Sequence, residues 1–233
     1  MSQVTILIPT LNAAKQLPRL LDDLSRELPG QPVMVVDGGS SDGTQALCEG
    51  RATLTTSAAG RGIQLKVGAK DISTDWTLVL HADSHLPAGF GAAVIEHTEA
   101  HQGQAGVAKL RFDAKGWRPA LVAAGANWRT KWFGLPYGDQ GLLIEMSLYH
   151  ASGGFQPALL MEDVMLINAL KEKAGRRVIR QLPTEIMTSA DRYQRDGYAR
   201  RVLRNLRCLF DHWRGVPVER IANRYKGKGT ARG

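Results

Sequence analysis

Short apolar segments that alternate with amphipathic ones constrain the fold of this chain more than any other feature. Val4–Ile8, Pro32–Val36 and Trp76–Leu80 are apolar and short, and leucines at helical spacing follow the first of them between residues 17 and 28. Parallel sheets that carry helices on both faces produce this alternation. The sequence therefore predicts an α/β fold with a mixed, mostly parallel sheet flanked by helices.

The rest of the chain continues the pattern less regularly. Further strands are expected at Leu54–Thr56, Gly106–Phe112, Leu142–Ile144 and Arg177–Leu182. Further helices are expected at Gly62–Lys70, Gly91–Ala100, Pro119–Trp132 and Met161–Lys173.

Polar clusters follow the three apolar segments. They are Pro9-Thr10-Leu11-Asn12, then Asp37 with the glycine-serine loop 38–44, and then His81-Ala82-Asp83. Because ligands of such sheets bind beyond the carboxyl ends of the strands, these clusters should converge on one edge. Asp37 can accept hydrogen bonds from a base or ribose. Asp83 is placed to hold Mg²⁺ or Mn²⁺ against a diphosphate.

The loop after Asp37 is not one of the common phosphate loops. It lacks the lysine of G-x-x-x-x-G-K-[ST], and no G-x-G-x-x-G follows the first strand. Binding of ATP or NAD by those devices is therefore not expected. Asp42 in this loop has two open interpretations, a local cap of the turn or a ligand contact.

Positive charge is concentrated at the C-terminal end. The chain has a formal net charge of +8, and residues 171–233 hold 17 Lys and Arg against 6 Asp and Glu. Within this region, residues 198–214 predict a basic amphipathic helix whose apolar face includes Tyr198, Val202, Leu206 and Trp213. Three interpretations stay open: the helix packs on the domain, lies on an anionic membrane surface or forms an oligomer interface. A nucleic-acid partner is not expected, since no module for one is recognised.

The composition also indicates where in the cell the protein is expected. The sequence contains no stretch of about 18 apolar residues, so no membrane span is predicted. The two cysteines, Cys48 and Cys208, form no metal or redox pair. A cytoplasmic protein is expected, at most peripheral at the inner membrane face.

Several blocks resemble the family 2 glycosyltransferases, which have the GT-A fold. The resemblance spans roughly residues 3–190 and rests on Thr5–Asn12, Val35–Thr44, Leu80–Asp83 and the acidic pair Glu162-Asp163. Gly60–Gln64, Gly138-Asp139-Gln140-Gly141 and Thr188-Ser189-Ala190 are similar to a short soluble subgroup that is associated with radical-SAM or selenocysteine-type gene neighbourhoods.

The resemblance implies a metal-dependent, inverting and non-processive transfer from a nucleoside-diphosphate sugar to an acceptor that the sequence does not identify. Its implied donor-side residues are Pro9, Thr10, Asn12, Asp37, Gly39, Arg61, Gln64, His81, Ala82 and Asp83, with Arg61 and Gln64 near the ribose or diphosphate. Asp83 would bind Mn²⁺ or Mg²⁺, Asp163 would be the general base beside Glu162, and Trp132, Tyr137 and Gln140 would lie on the acceptor side.

The implied domain organisation is one catalytic domain with appendages. Residues 1–190 would form the GT-A domain, with a donor half at 1–100 and an acceptor half at 101–190. Residues 191–225 would be a basic helical extension, and residues 226–233 a disordered tail.

The chain also departs from the family pattern. His81 stands where the Asp-x-Asp metal motif has its first carboxylate, so it could bind the metal or contact the donor. The Gln-x-x-Arg-Trp motif of processive members is absent. Two other functions remain: a nucleotidyltransferase of similar fold, and a non-catalytic membrane-surface protein that uses the basic helix. Glu162-Asp163 alone would also suit the N-terminus of a helix.

Overall fold

A computed structural model describes residues 3–226, which form a seven-stranded sheet flanked by helices. The strands are β1 (Val4–Thr10), β2 (Val33–Asp37), β3 (Thr53–Thr56), β4 (Trp76–Val79), β5 (Ala105–Phe112), β6 (Leu142–Glu145) and β7 (Ile179–Thr188). The helices are α1 (Leu17–Glu27), α2 (Arg61–Ala69), α3 (Phe90–Ala100), α4 (Trp117–Phe133), α5 (Met146–Ala151), α6 (Glu162–Ala174), α7 (Asp191–Asp196), α8 (Tyr198–Trp213) and α9 (Val218–Lys226).

The sheet is mixed and mostly parallel, as predicted. Its strand order is β3-β2-β1-β4-β6-β5-β7. The first four strands are parallel to one another, β6 runs antiparallel to both β4 and β5, and β7 is parallel to β5. The seven strands expected from the sequence are each found, so the α/β fold class is confirmed.

The register brings the polar clusters to one edge. Thr10 is paired with Asp37, and Asp37 with Thr56 on the next strand. Leu7 is paired with Val79, and the Leu80 N–H donates to the Leu7 carbonyl at 3.0 Å, so the segment after β4 leaves the sheet beside the end of β1. The predicted convergence of the strand ends is therefore confirmed.

Strand β7 runs further than the sequence indicated. The expected strand was Arg177–Leu182, and Pro183 follows it. A proline removes a hydrogen-bond donor from a ladder. In the structure the register against β5 shifts across this proline, from the Val107–Gln181 pair to the Lys109–Glu185 pair. A bulge tolerates the missing donor. The strand therefore continues to Thr188 and carries that residue to the edge of the sheet where the polar clusters lie.

Most predicted apolar faces are buried, but the one on α8 is not. The leucines of α1 pack fully into the core, as their spacing indicates. In α8 the buried residues are Arg201, Cys208 and Leu209, whereas Leu206 and Trp213 of the predicted apolar face are more than half exposed.

Residues 227–233 of the predicted tail lie outside the described part of the chain. Between residues 3 and 226, no helix has both the length and the apolar character needed to cross a bilayer.

Candidate active site

Asp37 is a buried organiser of the loop that follows β2. Its side chain accepts hydrogen bonds from the Thr10 and Ser40 hydroxyls, the Gly39 and Ser40 amides and the Gln45 side chain, at 2.5–3.0 Å. Burial raises the pKa of this carboxyl, but the hydrogen bonds from Ser40, Gln45 and Thr10 outweigh it and lower the pKa to about 2. Asp37 is 0 % exposed, so a contact with a base requires one of these donors to give way.

Two loops at this edge are joined through Asn12 and Asp42. Asn12 adopts a left-handed conformation with φ of 52°, and its side-chain oxygen accepts from the Ser41 N–H at 3.0 Å. Asp42 accepts from the Ala14 N–H at 3.0 Å and from Thr44. Of the two interpretations left open for Asp42, these contacts favour the structural one.

The remaining residues of the predicted nucleoside side line the ends of the strands. Thr10 is buried, Gly39 is exposed with φ of 91°, and Pro9 and Ala82 are partly buried at the ends of β1 and β4.

The side chain of Gln64 contacts the main chain of the sheet, whereas the resemblance implied a contact with the donor. It is buried on α2, and its side-chain nitrogen donates to the main-chain carbonyls of Thr10 at 2.7 Å and Val36 at 2.8 Å. Its oxygen accepts from the Gly60 N–H at 3.4 Å. Because both ends of the amide are occupied by the main chain, we assign Gln64 to holding the ends of β1 and β2 to α2 rather than to the ribose or diphosphate.

Arg61, at the start of α2, is the centre of a four-residue charged hub. Its guanidinium donates to Glu162, to Asp163 Oδ2 at 3.3 Å and to His81 Nε2 at 2.7 Å. Burial lowers the pKa of Arg61, but the charges of Glu162 and Asp163 outweigh it and raise the pKa above its ordinary value. The planar five-donor guanidinium can reach three partners at once, which a lysine ammonium does not do as well.

The hub fixes the protonation of His81. Burial and the charges of Arg61 and Arg192 hold the pKa of His81 well below its ordinary value, so the ring is neutral near pH 7. Because an arginine can only donate, Nε2 must be the acceptor and the ring proton lies on Nδ1. With Nε2 occupied, His81 does not offer that nitrogen to a metal ion in this arrangement.

Glu162 and Asp163 begin α6 and differ in access to solvent. Met161 precedes them with φ of 67°, a strained conformation for a residue with a side chain. The Glu162 side chain is 1 % exposed and paired with Arg61, whereas the Asp163 side chain is 18 % exposed. Burial raises the pKa of Glu162, the Arg61 charge opposes this shift, and the Asp163 charge adds to it. Glu162 therefore holds Arg61 from a buried position, and Asp163 is the more accessible of the two carboxylates.

Asp139 belongs to the site but was not among the predicted site residues. Burial raises its pKa to about 6, with the Arg129 charge opposing the shift and the Asp163 and Asp83 charges adding to it. Its Oδ1 is buried and has no hydrogen-bond partner in residues 3–226. The signal in the sequence was the Gly-Asp-Gln-Gly run at 138–141, in which the prediction chose the glutamine instead of the aspartate.

The three acceptor-side predictions have different outcomes in the structure. Gln140 is fully buried, accepting from Thr130 at 2.7 Å and donating to the Ala108 carbonyl at 3.1 Å, so it braces the interior. Trp132 is 60 % exposed on α4 and does not line the cavity that contains Arg61 and Asp163. Tyr137 does line that cavity, with the Arg129 guanidinium stacked 3.6 Å from its ring centre.

A cavity of about 330 Å³ gathers the charged residues at the carboxyl edge of the sheet. Of the predicted residues, its walls include Arg61, His81, Asp83, Tyr137, Glu162 and Asp163. Its polar lining also includes Asp139, Thr188, Ser189, Arg192, Arg201 and Asn205. Asp163 also accepts from the Gly138 N–H at 2.8 Å, which ties α6 to the Gly138–Gln140 turn.

Solved structures share this fold at low sequence identity. Glucosyl-3-phosphoglycerate synthase from Mycobacterium tuberculosis, in complex with Mn²⁺, UDP and glucosyl-3-phosphoglycerate, is 17 % identical with a TM-score of 0.61; the match covers 80 % of this chain and 71 % of that one. S. aureus TarS 1–349 is 18 % identical with a TM-score of 0.63, over 82 % of this chain and 62 % of that one. A comparison with the curated proteins finds no match.

The sequence itself identifies the family. Residues 5–152 match the family described as glycosyl transferase family 2, and this segment contains the strand-end clusters and the Arg61 region of the site. The match covers more than half of the chain. The chain therefore belongs to glycosyl transferase family 2, and it is a glycosyltransferase with the GT-A fold.

Proposed function

We propose that the enzyme moves a sugar from a nucleoside-diphosphate sugar to an acceptor hydroxyl, with inversion at the anomeric carbon and without processivity. The observation that carries this proposal is the hub around Arg61, which orients the partly exposed Asp163 in the cavity at the carboxyl edge of the sheet. The donor would occupy the strand-end clusters beside it, framed by Pro9–Asn12 and the loop after Asp37. Membership of the radical-SAM-associated subgroup remains a prediction.

A uridine nucleotide is the first donor to test. Some of the matching glucosyl-3-phosphoglycerate synthase structures contain UDP with Mn²⁺ or Mg²⁺, and two contain UDP-glucose with Mn²⁺. In this chain the amide-rich loop 38–44 lies beside β1 and can hold a nucleoside, while Arg61 and Arg192 supply positive charge to the cavity.

The carboxylates in the cavity fit a divalent cation whose remaining ligands would come from the diphosphate of the donor. Asp83 lines the cavity together with Asp139, whose buried Oδ1 has no partner in the described chain. No cluster of three or more His, Cys, Asp or Glu side chains within residues 3–226 could hold a metal ion without help. Mg²⁺ and Mn²⁺ commonly bind through one or two carboxylates plus substrate phosphate. Asp83 would therefore hold the ion with Asp139 as the second oxygen donor, and the bound metal would neutralise the departing diphosphate.

Asp163 is suited to act as the general base. Its carboxylate is held by the Gly138 and Val164 amides and by Arg61, which leaves it oriented and still accessible. In the proposed step Asp163 takes the proton of the acceptor hydroxyl as that oxygen bonds to the anomeric carbon. The bond from this carbon to the diphosphate oxygen breaks on the opposite face, which inverts the configuration.

Asp163→Asn tests the base, with Asp71→Asn as its control because Asp71 is exposed outside the cavity. Transfer from UDP-sugars should fall by about 10²- to 10⁴-fold in Asp163→Asn, the usual contribution of general base catalysis, while UDP binding persists. Asp71→Asn should keep full activity. Turnover that survives in Asp163→Asn would place the base elsewhere.

The metal role and the reaction type need separate measurements. Asp83→Ala should lose the Mn²⁺-dependent increase in melting temperature that UDP gives the wild type. Release of pyrophosphate instead of nucleoside diphosphate would indicate the alternative nucleotidyltransferase. The segment Pro9–Asn12 argues against that alternative, since such an enzyme would carry a Gly-rich basic segment there.

The exposed side of α8 supports peripheral binding to an anionic membrane at the cytoplasmic face. Phe210 and Trp213 are exposed, and Arg200 and Arg207 flank them. Sedimentation with phosphatidylglycerol vesicles should be weakened in Phe210→Glu and unchanged in Leu54→Glu, which alters an exposed leucine on edge strand β3. Equal binding by both variants would contradict membrane docking through residues 198–214 and leave the oligomer interface as the alternative.

A further inference from the structure

An apolar groove runs between α4 and α8. Its volume is about 1100 Å³, more than three times that of the catalytic cavity. The α4 wall includes Trp117, Leu121 and Trp128, and the α8 wall includes Leu203, Leu206 and Trp213. Ligand pockets in proteins usually measure about 300–1000 Å³, so the groove is large enough for an extended molecule.

The walls of the groove are exposed to a degree that a folded domain normally avoids. Trp117, Leu121, Leu203 and Trp213 are each more than 60 % exposed. Contiguous apolar surface on this scale marks a binding site more often than a free surface. Helix α8 is nevertheless packed on the domain, because Cys208 and Leu209 are buried in the core, and Leu209 also lines the groove.

The groove is continuous with the catalytic cavity. Tyr137, Asp139, Tyr193 and Asn205 line both spaces. Gly138, between two of these residues, donates its N–H to Asp163 at 2.8 Å. A molecule that lies in the groove can therefore extend into the cavity that contains the proposed general base, Asp163.

Charge favours an anionic occupant. Four cationic residues line the groove, namely Arg118, Arg129, Lys171 and Arg176, whereas Asp139 is the one carboxylate among the described residues of its lining. A second copy of the chain is disfavoured, because an interface on a two-fold axis brings the same patch onto itself and would place these cations together.

We propose that the groove binds an anionic amphiphilic acceptor. Its hydrocarbon chain lies against the apolar walls, its anionic group lies near the cationic residues of the groove lining, and its hydroxyl enters the catalytic cavity. The 17-residue α4 is about 25 Å long at 1.5 Å per residue. One leaflet of a bilayer core is about 15 Å thick, so the groove can hold one extended acyl chain. This inference rests on the proposed function, since it names the acceptor class of that site.

Gly125 offers a clean way to block the groove. It lies on α4 among the groove residues, and a Cβ atom added there meets nothing within 4 Å. Gly125→Phe therefore adds a ring on a Cβ atom that has free space at the groove, and Gly125→Ala is the matched control. Both replacements favour the helix over glycine, so loss of the fold is not expected.

The probe is cis-parinaric acid, a long-chain fatty acid whose fluorescence rises in apolar surroundings. The wild type and Gly125→Ala should bind it with similar affinity, and Gly125→Phe should bind it roughly tenfold more weakly or worse. The increase in melting temperature with UDP and Mn²⁺ should be the same in all three proteins, because Gly125 is outside the catalytic cavity. Loss of that increase in the wild type would count against the proposed function and not against the groove.

Three results would overturn the inference. The first is equal probe affinity in the wild type and Gly125→Phe. The second is binding to vesicles of equal parts phosphatidylcholine and phosphatidylglycerol without binding of the monomeric probe, which would make the groove a membrane contact. The third is a dimer by light scattering that Gly125→Phe dissociates, which would make a second copy the occupant.

Discussion

Replacing Arg61 by methionine tests the charged hub directly. Methionine keeps an unbranched side chain of similar reach but removes the charge and all three side-chain contacts. Glu162, which is 1 % exposed, would then be a carboxylate buried without its cation. Breaking such a pair by removing one partner is strongly destabilising.

The expected loss of stability is about 3 kcal/mol. Removing one partner of a buried ion pair costs about 3–5 kcal/mol, and the lower end applies because the Arg61 side chain is 32 % exposed. For a chain of 150–250 residues, each kcal/mol corresponds to a shift in melting temperature of about 2–4 °C. The melting temperature of Arg61→Met should therefore fall by about 6–12 °C near neutral pH.

The loss should also depend on pH. Burial raises the pKa of Glu162 above its ordinary 4.5, and without Arg61 nothing opposes this shift as strongly. The folded variant then binds a proton more tightly than the unfolded chain, so its stability falls as the pH rises above 4.5 and through the raised pKa. The deficit relative to the wild type should be small near pH 5 and large near pH 8.

Urea denaturation of Arg61→Met, Glu162→Gln and the double variant measures the loss in free energy of unfolding and its pH dependence as a double-mutant cycle. The double variant should regain most of the lost stability and lose most of the pH dependence. Removing Arg61 also removes one of the charges that lower the pKa of His81. Because Arg61 is absent from both Arg61→Met and the double variant, the difference in stability between these two variants reports on Glu162 alone. A deficit that is the same near pH 5 and pH 8, or a double variant no better than Arg61→Met, would refute the buried-pair account.

Three further predictions concern the frame of the site. Asp37→Asn should cost about 2 kcal/mol at neutral pH, because the carboxyl has a pKa of about 2 against an ordinary 3.8; urea denaturation should show this difference shrinking as the pH falls from 3.8 towards 2. Gly62→Ala should destabilise the fold by about 1–3 kcal/mol, since the new Cβ would lie 2.4 Å from the Gln156 carbonyl oxygen. Gly125→Ala should stabilise it by about 0.5–1 kcal/mol, because its Cβ meets nothing within 4 Å. A melting temperature equal to that of the wild type in both variants would contradict these expectations. Gly138→Ala should lower turnover more than stability, because its Cβ would lie 2.8 Å from His81 Nε2 in the hub; parallel kinetics and melting curves should separate the two effects.

The elements of the fold and the edge that holds the site could be predicted because both are local properties of the chain. Runs such as Trp76–Val79 are buried on both faces, so they read as continuous apolar segments. Parallel strands bring their carboxyl ends to one edge whatever the detailed packing, which was sufficient to place Asp37 beside Thr10. The end of β7 could not be predicted in this way, because the tolerance for Pro183 depends on the bulge against β5.

The roles of individual side chains depended on partners far away in the chain. Gln64 was expected at the donor, and its two main-chain acceptors, Thr10 and Val36, became visible only with α2 packed on the strands. Glu162 and Asp163 are adjacent in sequence, and the position of Arg61, about a hundred residues away, buries one of them in an ion pair and leaves the other accessible. The Oδ1 atom of Asp139 is buried without a hydrogen-bond partner among residues 3–226, and this burial is not encoded in the sequence pattern.

The sequence by itself determined the α/β class, the family and the edge of the sheet where the site lies, because the periodicity of apolar residues and the strand-end clusters are written along the chain. Only the tertiary structure decided which of Glu162 and Asp163 is more accessible, which nitrogen of His81 is occupied, and that the apolar stripe of α8 faces a groove instead of the core. The physical reason is that burial and ion pairing are properties of side chains brought together from distant segments. The same residue types at the same spacing would act differently in another packing arrangement.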